Sequence, residues 1–275
     1  MGYVKPEMVL ENMIQAGRTK ANLAVKDLLI RGALSGALLG FSTTLAFTAE
    51  LQSKMGFMGA LLFPAGFVII ILLGLELVTG NFALIPLAVM EKKTNAVNMF
   101  SSWFWVIIGH LLGSILYAFL YVITATKLGH SAGNEVTAKL ITLSEAKTIG
   151  YQVLGFDGMV LVFVKAMLCN WMVTLGAIMA MTSQSTLGKI AAMWLPIIIF
   201  FAQGFEHAVV NMFVIPAGMM LGADITVAEW WIWNQIPVII GNLVSGFLFT
   251  GLALYVTLKK KGPKSVVQMS KSKAL

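Results

Sequence analysis

Long apolar runs alternate with short polar connections along almost the whole chain of 275 residues. A helix that crosses a bilayer needs roughly 20 mostly apolar residues. By that measure the sequence predicts six spans, at about 28–50, 58–90, 98–126, 157–182, 189–221 and 230–258. The second and fifth runs are too long for one simple helix, and each contains weak helix formers such as glycine and asparagine near its middle. We therefore predict that these two helices are interrupted.

A mixed apolar and polar segment, "PEMVLENMIQAGRTKANLAVKD", precedes the first span. Pro6 suits the first turn of a helix. Four apolar residues then fall roughly on one helix face: Met8, Val9, Met13 and Ile14. The pattern predicts that residues 1–27 are a separate N-terminal segment containing an amphipathic helix at the membrane surface.

Composition and charge place the chain in a membrane. Hydrophobic residues make up 58% of the chain, charged residues only 11%, and the mean hydropathy is +0.86, whereas a soluble domain carries about a quarter charged residues. The single cysteine excludes an internal disulfide. With six spans, the connections on the side of the termini hold thirteen lysines and arginines and the other side holds four. By the positive-inside rule we expect a multi-pass protein of the cell membrane with both termini cytoplasmic.

An internal repeat relates the two interrupted helices. "GLELVTGNFALIP" (74–86) aligns without a gap over "GFEHAVVNMFVIP" (204–216), with matching glycine, glutamate, asparagine, isoleucine and proline. The match of Glu76 with Glu206 is the strongest evidence for the repeat, because lipid should exclude a carboxylate. "GHLLGS" (109–114) also resembles "GNLVSG" (241–246), and Arg31 has a counterpart in Lys165. The chain therefore reads as two units of three helices.

An odd number of spans per unit inverts the second unit in the membrane. We therefore predict an all-α membrane protein with two inverted three-helix repeats, at 28–126 and 157–258. A polar external connection, 127–156, joins them, and a basic cytoplasmic tail, 259–275, follows. In such folds the substrate site lies near the midplane at the interrupted helices. Free N–H groups at a half-helix N-terminus attract an anion or a dipolar acid.

Ionisable residues at membrane depth are costly and need a reason. We interpret Glu76 and Glu206 as supports of the two helix breaks, since a fixed carboxylate would repel an anion. His207 is either a neutral core residue or a hydrogen-bond donor, and even a proton source, facing a pathway. Lys165 either extends outward to water, pairs with a buried glutamate or attracts anions. We interpret His110, in a glycine-rich segment, as structural.

Three segments resemble the signature segments of the formate/nitrite transporter family: "FPAGFVIIILLGLELVTGNFALIP", "KAMLCNWMV" and "GFEHAVVNMFVIPAG". The resemblance covers about residues 5–260. It implies a homopentamer in the lipid bilayer, whose aquaporin-like six-helix protomers each contain a pore. It also implies transport of small monovalent weak-acid anions, with formate as first candidate and nitrite or hydrosulfide as alternatives. The combination of Glu76 and Lys165 looks closer to the hydrosulfide-type branch.

The resemblance also assigns residues, by their positions in the matching motifs. It places His207 as the central histidine and Thr79 in the loop that interrupts the second helix. Asn170 and Asn211 match asparagines of the family, and with Lys165 these residues make up the expected substrate pathway. Two apolar constrictions are implied: a cytoplasmic one of Leu77, Phe67 and Val173, and an outer one of Phe63 and Phe200. A proton link through His207 is part of the same expectation.

Two other classes of protein compete with this interpretation. A water or neutral-solute channel of the aquaporin type would show two Asn-Pro-Ala motifs, and the sequence has none. An intramembrane protease needs a serine nucleophile within reach of His207. Ser35, Ser42 and Ser114 do not stand in a nucleophile-type motif. We therefore expect no enzyme, no cofactor, no bound metal and no nucleic-acid partner.

Overall fold

The fold is helical, as the sequence predicts. A computed structural model of the chain describes residues 2–259. In this part of the chain the only pairing of strand type is one isolated antiparallel bridge between Tyr3 and Ser183. Of the predicted basic tail only Lys259 lies within the described residues.

Six helices make up the first half of the chain. They are α1 (Pro6–Ala21), α2 (Val25–Ser53), α3 (Gly56–Leu62), α4 (Pro64–Leu72), α5 (Val78–Met90) and α6 (Ala96–Ala125). The run predicted at 58–90 is thus divided, and residues 73–77 between α4 and α5 are not helical. The predicted interruption of the second helix is confirmed, but Thr79, expected in the interrupting loop, is the second residue of α5.

The second half follows the same order. Its helices are α7 (Glu135–Ala146), α8 (Ile149–Gln152), α9 (Gly155–Met179), α10 (Thr186–Ala202), α11 (Ala208–Met220), α12 (Val227–Trp230), α13 (Ile236–Ser245) and α14 (Ala253–Leu258). The π-helical segments Trp231–Gln235 and Gly246–Leu252 join the last three into one helix. Residues 203–207 interrupt the fifth predicted helix, which confirms its break as well.

Four described helices are long and apolar enough to cross a membrane: Val25–Ser53, Ala96–Ala125, Gly155–Thr182 and Val227–Leu258. The shorter apolar helices, Gly56–Leu72 with Val78–Met90 and Thr186–Ala202 with Ala208–Met220, flank the two breaks. Each of these pairs would supply one further span, so the count of six stays a prediction.

Packing repeats between the two halves. Helix α2 runs along α6 as α9 runs along α13, and α1 packs on α5 as α7 packs on α11. Helix α11 in turn packs on α6, while α5 packs on the π-helical segment Gly246–Leu252. Each half therefore covers the interrupted helix of the other half. This arrangement confirms the predicted internal repeat, with one interrupted helix in each half.

Glycines permit the closest of these approaches. A Cβ atom at Gly109 would stand 2.6 Å from the backbone oxygen of Leu29, and one at Gly241 would stand 2.7 Å from that of Phe163. Both glycines belong to the segments that the internal alignment matched. The α2–α6 and α9–α13 contacts therefore depend on equivalent positions.

The region 127–156, predicted as a polar connection, contains helices α7 and α8. An Asn134 capping box begins α7, and Val136 and Leu140 are buried on its inner face. Helix α7 takes the place in the second half that α1 takes in the first. The apolar face of α1 is itself covered by protein, because Met13 and Ile14 belong to a buried cluster with Leu84 and Leu87 of α5.

Candidate functional site

The two helix breaks have the same backbone course. Each contains a glycine with positive φ, Gly74 at 63° and Gly204 at 64°, a conformation that glycine adopts without steric cost. The chain then becomes extended at Leu77 and His207, which are the N-cap residues of α5 and α11. Sequence-equivalent residues thus begin both half-helices inside the protein.

A buried carboxylate lies beside each break. The Oε1 atom of Glu76 lies 2.9 Å from Nζ of Lys20, and the side-chain exposure of Glu76 is 1%. The Oε2 atom of Glu206 lies 2.8 Å from Nζ of Lys147, and its exposure is 2%. The Tyr151 hydroxyl donates a further hydrogen bond to Glu206 over 2.7 Å. A buried charge is tolerated where it is paired and hydrogen-bonded, and both carboxylates meet that condition.

The asparagines near the breaks use their N–H groups within the protein. Asn81 and Asn211 donate to Glu76 and Glu206 over 2.8 and 2.7 Å. Asn211 also donates to Asn234 over 2.8 Å. Each carboxylate is thereby tied to the first turns of the half-helix that follows it.

Asn170 is used in the same way. Its Nδ2 donates to the backbone oxygens of Thr79 and Asn242, over 3.1 and 2.6 Å. The Oδ1 atoms of Asn170 and Asn211 are buried without a partner, and an amide oxygen is an acceptor that an anion would avoid. The geometry of the two residues predicted in the substrate pathway thus suits holding the breaks more than donating to an anion.

His207 and Thr79 meet where the two breaks face each other. The Nδ1 atom of His207 accepts the backbone N–H of Val210 over 3.3 Å. In a neutral imidazole the other nitrogen then carries the proton. That nitrogen, Nε2, lies 3.2 Å from Oγ1 of Thr79, so its N–H donates to the threonine oxygen. The Thr79 hydroxyl hydrogen is left to donate to another group.

A cavity of about 290 Å³ reaches one of the two breaks. We call it the His207 cavity. Its lining includes Glu206, His207, Phe200 and three lysines, Lys139, Lys147 and Lys165. Lys139 pairs with Glu50, and Lys147 with Glu206. Within residues 2–259, Lys165 forms no ion pair, so the charge of this cavity is not fully neutralised.

Lys165 lies on α9 with its Nζ atom 5.7 Å from the centre of the Tyr151 ring. The alternative in which Lys165 pairs with a buried glutamate is not what the structure shows, because Glu76 and Glu206 are occupied by Lys20 and Lys147. Of the three alternatives for Lys165, attraction of anions and extension toward water remain.

A second cavity, of about 650 Å³, reaches the other break. We call it the N-terminal cavity, because Val4 and Lys20 of the N-terminal segment line it together with Gly74, Leu75 and Lys189. Its lining parallels that of the His207 cavity, since Gly74 corresponds to Gly204 and Leu75 to Phe205. Each cavity thus ends at one break.

The residues predicted to form constrictions are all buried in one apolar cluster. Their exposure does not exceed 2% in any case, and the set is Phe63, Phe67, Leu77, Val173 and Phe200. Phe63 and Phe200 meet edge to face with ring centres 5.6 Å apart, and Phe200 stacks on His207 at 5.8 Å. The structure therefore brings Phe63, Phe200 and His207 together, while Phe67, Leu77 and Val173 share the cluster with them.

Several polar residues of the site are missing from the sequence interpretation. From the sequence, Lys20 and Lys147 enter only the charge count that predicts the orientation in the membrane. No role is predicted for Tyr151, Asn234 or Asn242. Asn234 and Ser102 occupy equivalent positions, and both donate to the backbone oxygen of the lysine that serves the buried glutamate, Lys147 and Lys20 respectively. The internal repeat was the signal that could have found them.

Comparison with known proteins agrees with this architecture. The family described as formate/nitrite transporter matches residues 7–256. A Bacillus subtilis (strain 168) protein named uncharacterized transporter YrhG is 34% identical, over 95% of this chain and 96% of its own. The formate channel BtFdhC of Bacillus thuringiensis is 30% identical, over 95% and 98%. A solved FNT family ion channel superposes with a TM-score of 0.76 and 26% identity, covering 92% of this chain and 98% of that one. The chain is a member of the formate/nitrite transporter family.

Proposed function

We propose that the protein is a channel or transporter for small monovalent anions of weak acids, with formate as the first substrate, and that it has no enzymatic activity. One observation carries the proposal. His207, hydrogen-bonded to Thr79, lines a cavity with an unneutralised lysine and stacks on Phe200 of a buried apolar cluster. Bacillus thuringiensis BtFdhC, a named formate channel of similar length, supports formate as the candidate.

Positive charge on the cavity walls would attract the anion as it approaches. In the His207 cavity Lys165 is the lysine whose charge the described residues leave unpaired, and a positive wall raises the local concentration of anions. In the N-terminal cavity Lys189 has a comparable place on the lining. The two cavities would therefore collect anions before the apolar cluster is reached.

The apolar cluster sets the second condition. Moving a bare carboxylate into an apolar environment is very unfavourable, whereas a neutral acid avoids most of that cost. The hydroxyl of Thr79, which accepts the Nε2–H of His207, is the donor left free at the point of contact. We propose that the anion is bound there and that a proton, relayed by His207 or taken from the water of the cavity, neutralises it for passage.

The arrangement in the membrane follows from the charge count. With the termini in the cytoplasm, the N-terminal cavity faces the cytoplasm and the His207 cavity faces outside. In a homopentamer, as the family resemblance implies, each protomer would carry its own pathway through the two cavities.

The alternatives differ in what they transport. Nitrite and hydrosulfide are monovalent, small and derived from weak acids, so the same donors and the same charge suit them. A water or neutral-solute channel would not need the lysines that line both cavities. A protease would need a serine near His207, but the described contacts of its ring are with Thr79, Val210 and Phe200, and Ser42 accepts the N–H of Gly66 instead.

Transport into proteoliposomes tests the proposal. Vesicles with the purified protein receive labelled formate, nitrite or hydrosulfide in parallel, with and without an inwardly directed proton gradient. We expect uptake of at least one anion above that of protein-free vesicles, and faster uptake with the gradient. Rapid water flow in light-scattering measurements without uptake of any of the three anions would contradict the proposal and favour the water channel.

A further inference from the structure

His110 connects three helices behind the substrate pathway. It lies on α6 and is fully buried. Its Nε2 atom accepts the backbone N–H of Val78 over 3.1 Å, and its Nδ1 atom lies 2.8 Å from the backbone oxygen of Gly32 on α2. An N–H can only donate and a carbonyl oxygen can only accept, so the proton sits on Nδ1. The ring therefore bridges α2, α6 and the first residue of α5.

Asn242 makes the same pair of contacts in the second repeat. Its Oδ1 accepts the N–H of Ala208, the first residue of α11, over 3.0 Å. Its Nδ2 donates to the backbone oxygen of Ala166 on α9 over 2.8 Å. Ala166 follows Lys165 as Gly32 follows its counterpart Arg31. Two chemically different side chains thus perform one task at equivalent places.

Each of these side chains accepts a backbone N–H group that has no partner within its own helix. The first N–H groups of any helix lack an intrahelical acceptor, and a buried one needs another acceptor. Val78 and Ala208 are both fully buried, so water cannot serve them. The residue after Val78 is Thr79, whose hydroxyl faces His207. A shift of the Val78 amide would therefore move this hydroxyl.

We infer that His110 is a positioning residue for transport: by holding the N–H of Val78 it fixes the hydroxyl of Thr79 opposite His207. The inference rests on the proposed function, since it gives Thr79 a role in that pathway. Asn170 holds the same residue through the Thr79 backbone oxygen. The start of α5 is thus fixed by an acceptor from α6 and a donor from α9.

His110 and Asn242 are not interchangeable. The amide of Asn242 has a second N–H, which it donates to the backbone oxygen of Glu206 over 3.0 Å. A neutral imidazole has one N–H and cannot donate to Ala166 and Glu206 at the same time. His110→Asn or His110→Gln can supply the donor and acceptor that the imidazole supplies, whereas Asn242→His must lose the contact with Glu206. We therefore expect the first exchange to be tolerated and the second to impair transport.

Uptake by His110 variants in proteoliposomes tests this role. His110→Leu removes both contacts and should slow uptake on the order of tenfold. At least one of His110→Asn and His110→Gln should restore most of the rate. Ser114→Ala is the matched control, because Ser114 lies one turn further along α6 and its buried hydroxyl has no partner. If the Leu, Asn and Gln variants assemble and are equally slow, the inference is overturned.

A double-mutant cycle separates positioning from a general effect on the fold. Once Thr79→Val has removed the hydroxyl, adding His110→Leu should slow uptake little further. A full additional loss of about tenfold would overturn the inference, because His110 would then act independently of Thr79.

Hydrogen exchange supplies a readout that does not depend on any substrate. Peptides covering the break and the start of α5 should exchange faster in His110→Leu than in His110→Gln, with Ser114→Ala as in the wild type. If the wild type transports none of the three anions, the proposed function fails while this exchange pattern can still be seen. Equal exchange in all variants would show that His110 does not hold the break.

Discussion

The Nζ atom of Lys147 lies 2.8 Å from Oε2 of Glu206, a carboxylate of which only 2% is exposed. Lys20 and Glu76 repeat this relationship at 2.9 Å in the other half. Lys20 lies on α1, which precedes the first repeat, and Lys147 is the C-cap residue of α7, which precedes the second. Both glutamates lie in the breaks. The ion pairs therefore fasten α1 and α7 to the two interrupted helices. Breaking a buried pair by removing one partner is costly, because the other charge is left alone.

The first prediction concerns which partner is removed. Lys147→Met leaves the carboxylate of Glu206 buried, and we expect a loss of about 3–5 kcal/mol of stability. Glu206→Gln should cost less, because the freed lysine, 16% exposed, can turn toward the water of the His207 cavity. The double variant should recover part of the loss. Thermal unfolding of the purified proteins in one detergent compares them, and Lys147→Met as stable as the wild type would contradict the assigned pair.

Lys165 gives the second prediction. Since its charge is not paired in the described part of the chain, Lys165→Met should lower uptake strongly at low anion concentration and weakly at saturation. Lys165→Arg keeps the charge and serves as the control. Initial rates over a range of formate or nitrite concentrations provide the measurement. A curve identical to that of the wild type would mean that Lys165 extends to water without acting on anions.

Glu50 gives a prediction of opposite sign. It neutralises Lys139 at the same cavity. Glu50→Gln should free the lysine charge and increase uptake at low anion concentration, because one more positive group then faces the cavity. Raising the salt concentration should reduce the gain, since salt screens the attraction between an exposed lysine and an anion. Slower uptake in this variant would indicate that the pair is needed to hold α7 on α2.

Much of this site follows from the sequence. The existence of two breaks is predicted from "VTGN" (78–81) and "HAVVN" (207–211), because weak helix formers in a long apolar run rarely continue a helix. Their predicted position is wrong by a few residues, since the breaks lie at 73–77 and 203–207 and these segments form the first turns of α5 and α11. The repeat is found through Glu76 and Glu206, since a match of carboxylates in an apolar background is informative where matches of leucine or valine are not. The two breaks then indicate where a site must lie.

The partners of these residues could not be predicted in the same way. Lys147 is separated from Glu206 by 59 residues and lies in a region that reads as a polar connection. Helix α7 is short, and its apolar face pairs with α11 only in the folded protein. The side chain of Asn170 turns its N–H groups to two backbone oxygens of other segments. Such choices depend on tertiary geometry, which local patterns do not contain.

Phe200 gives the fourth prediction. Its ring lies between that of Phe63 and that of His207, with 5.6 and 5.8 Å between ring centres. Phe200→Ala should widen the pathway at this point and admit larger monovalent acids, such as acetate or lactate. Phe201→Ala is a matched control, because its ring also contacts Phe63 but is less buried, and none of its described ring contacts is with His207. An unchanged size limit in Phe200→Ala would show that Phe200 does not line the pathway.

The fifth prediction concerns His207 and explains why a glutamate and a histidine stand together in an apolar segment. Glu206 is occupied by Lys147, Tyr151 and Asn211 and serves the break. His207 directs its Nε2–H toward Thr79, and its ring stacks on Phe200 of the apolar cluster. His207→Phe is similar in size but has neither a donor nor a proton to exchange. It should assemble normally and lose the acceleration of weak-acid uptake by an inward proton gradient.

The comparison with Thr79→Val separates donation from proton transfer. That variant removes the hydroxyl but leaves the imidazole, so it should bind the anion more weakly while keeping a dependence of uptake on pH. His207→Phe should lose that dependence, because a phenyl ring has no nitrogen that can give or take a proton. Uptake measured at several external pH values gives both results. If His207→Phe keeps the rate and the pH profile of the wild type, His207 is a core residue whose Nδ1 serves only to cap α11.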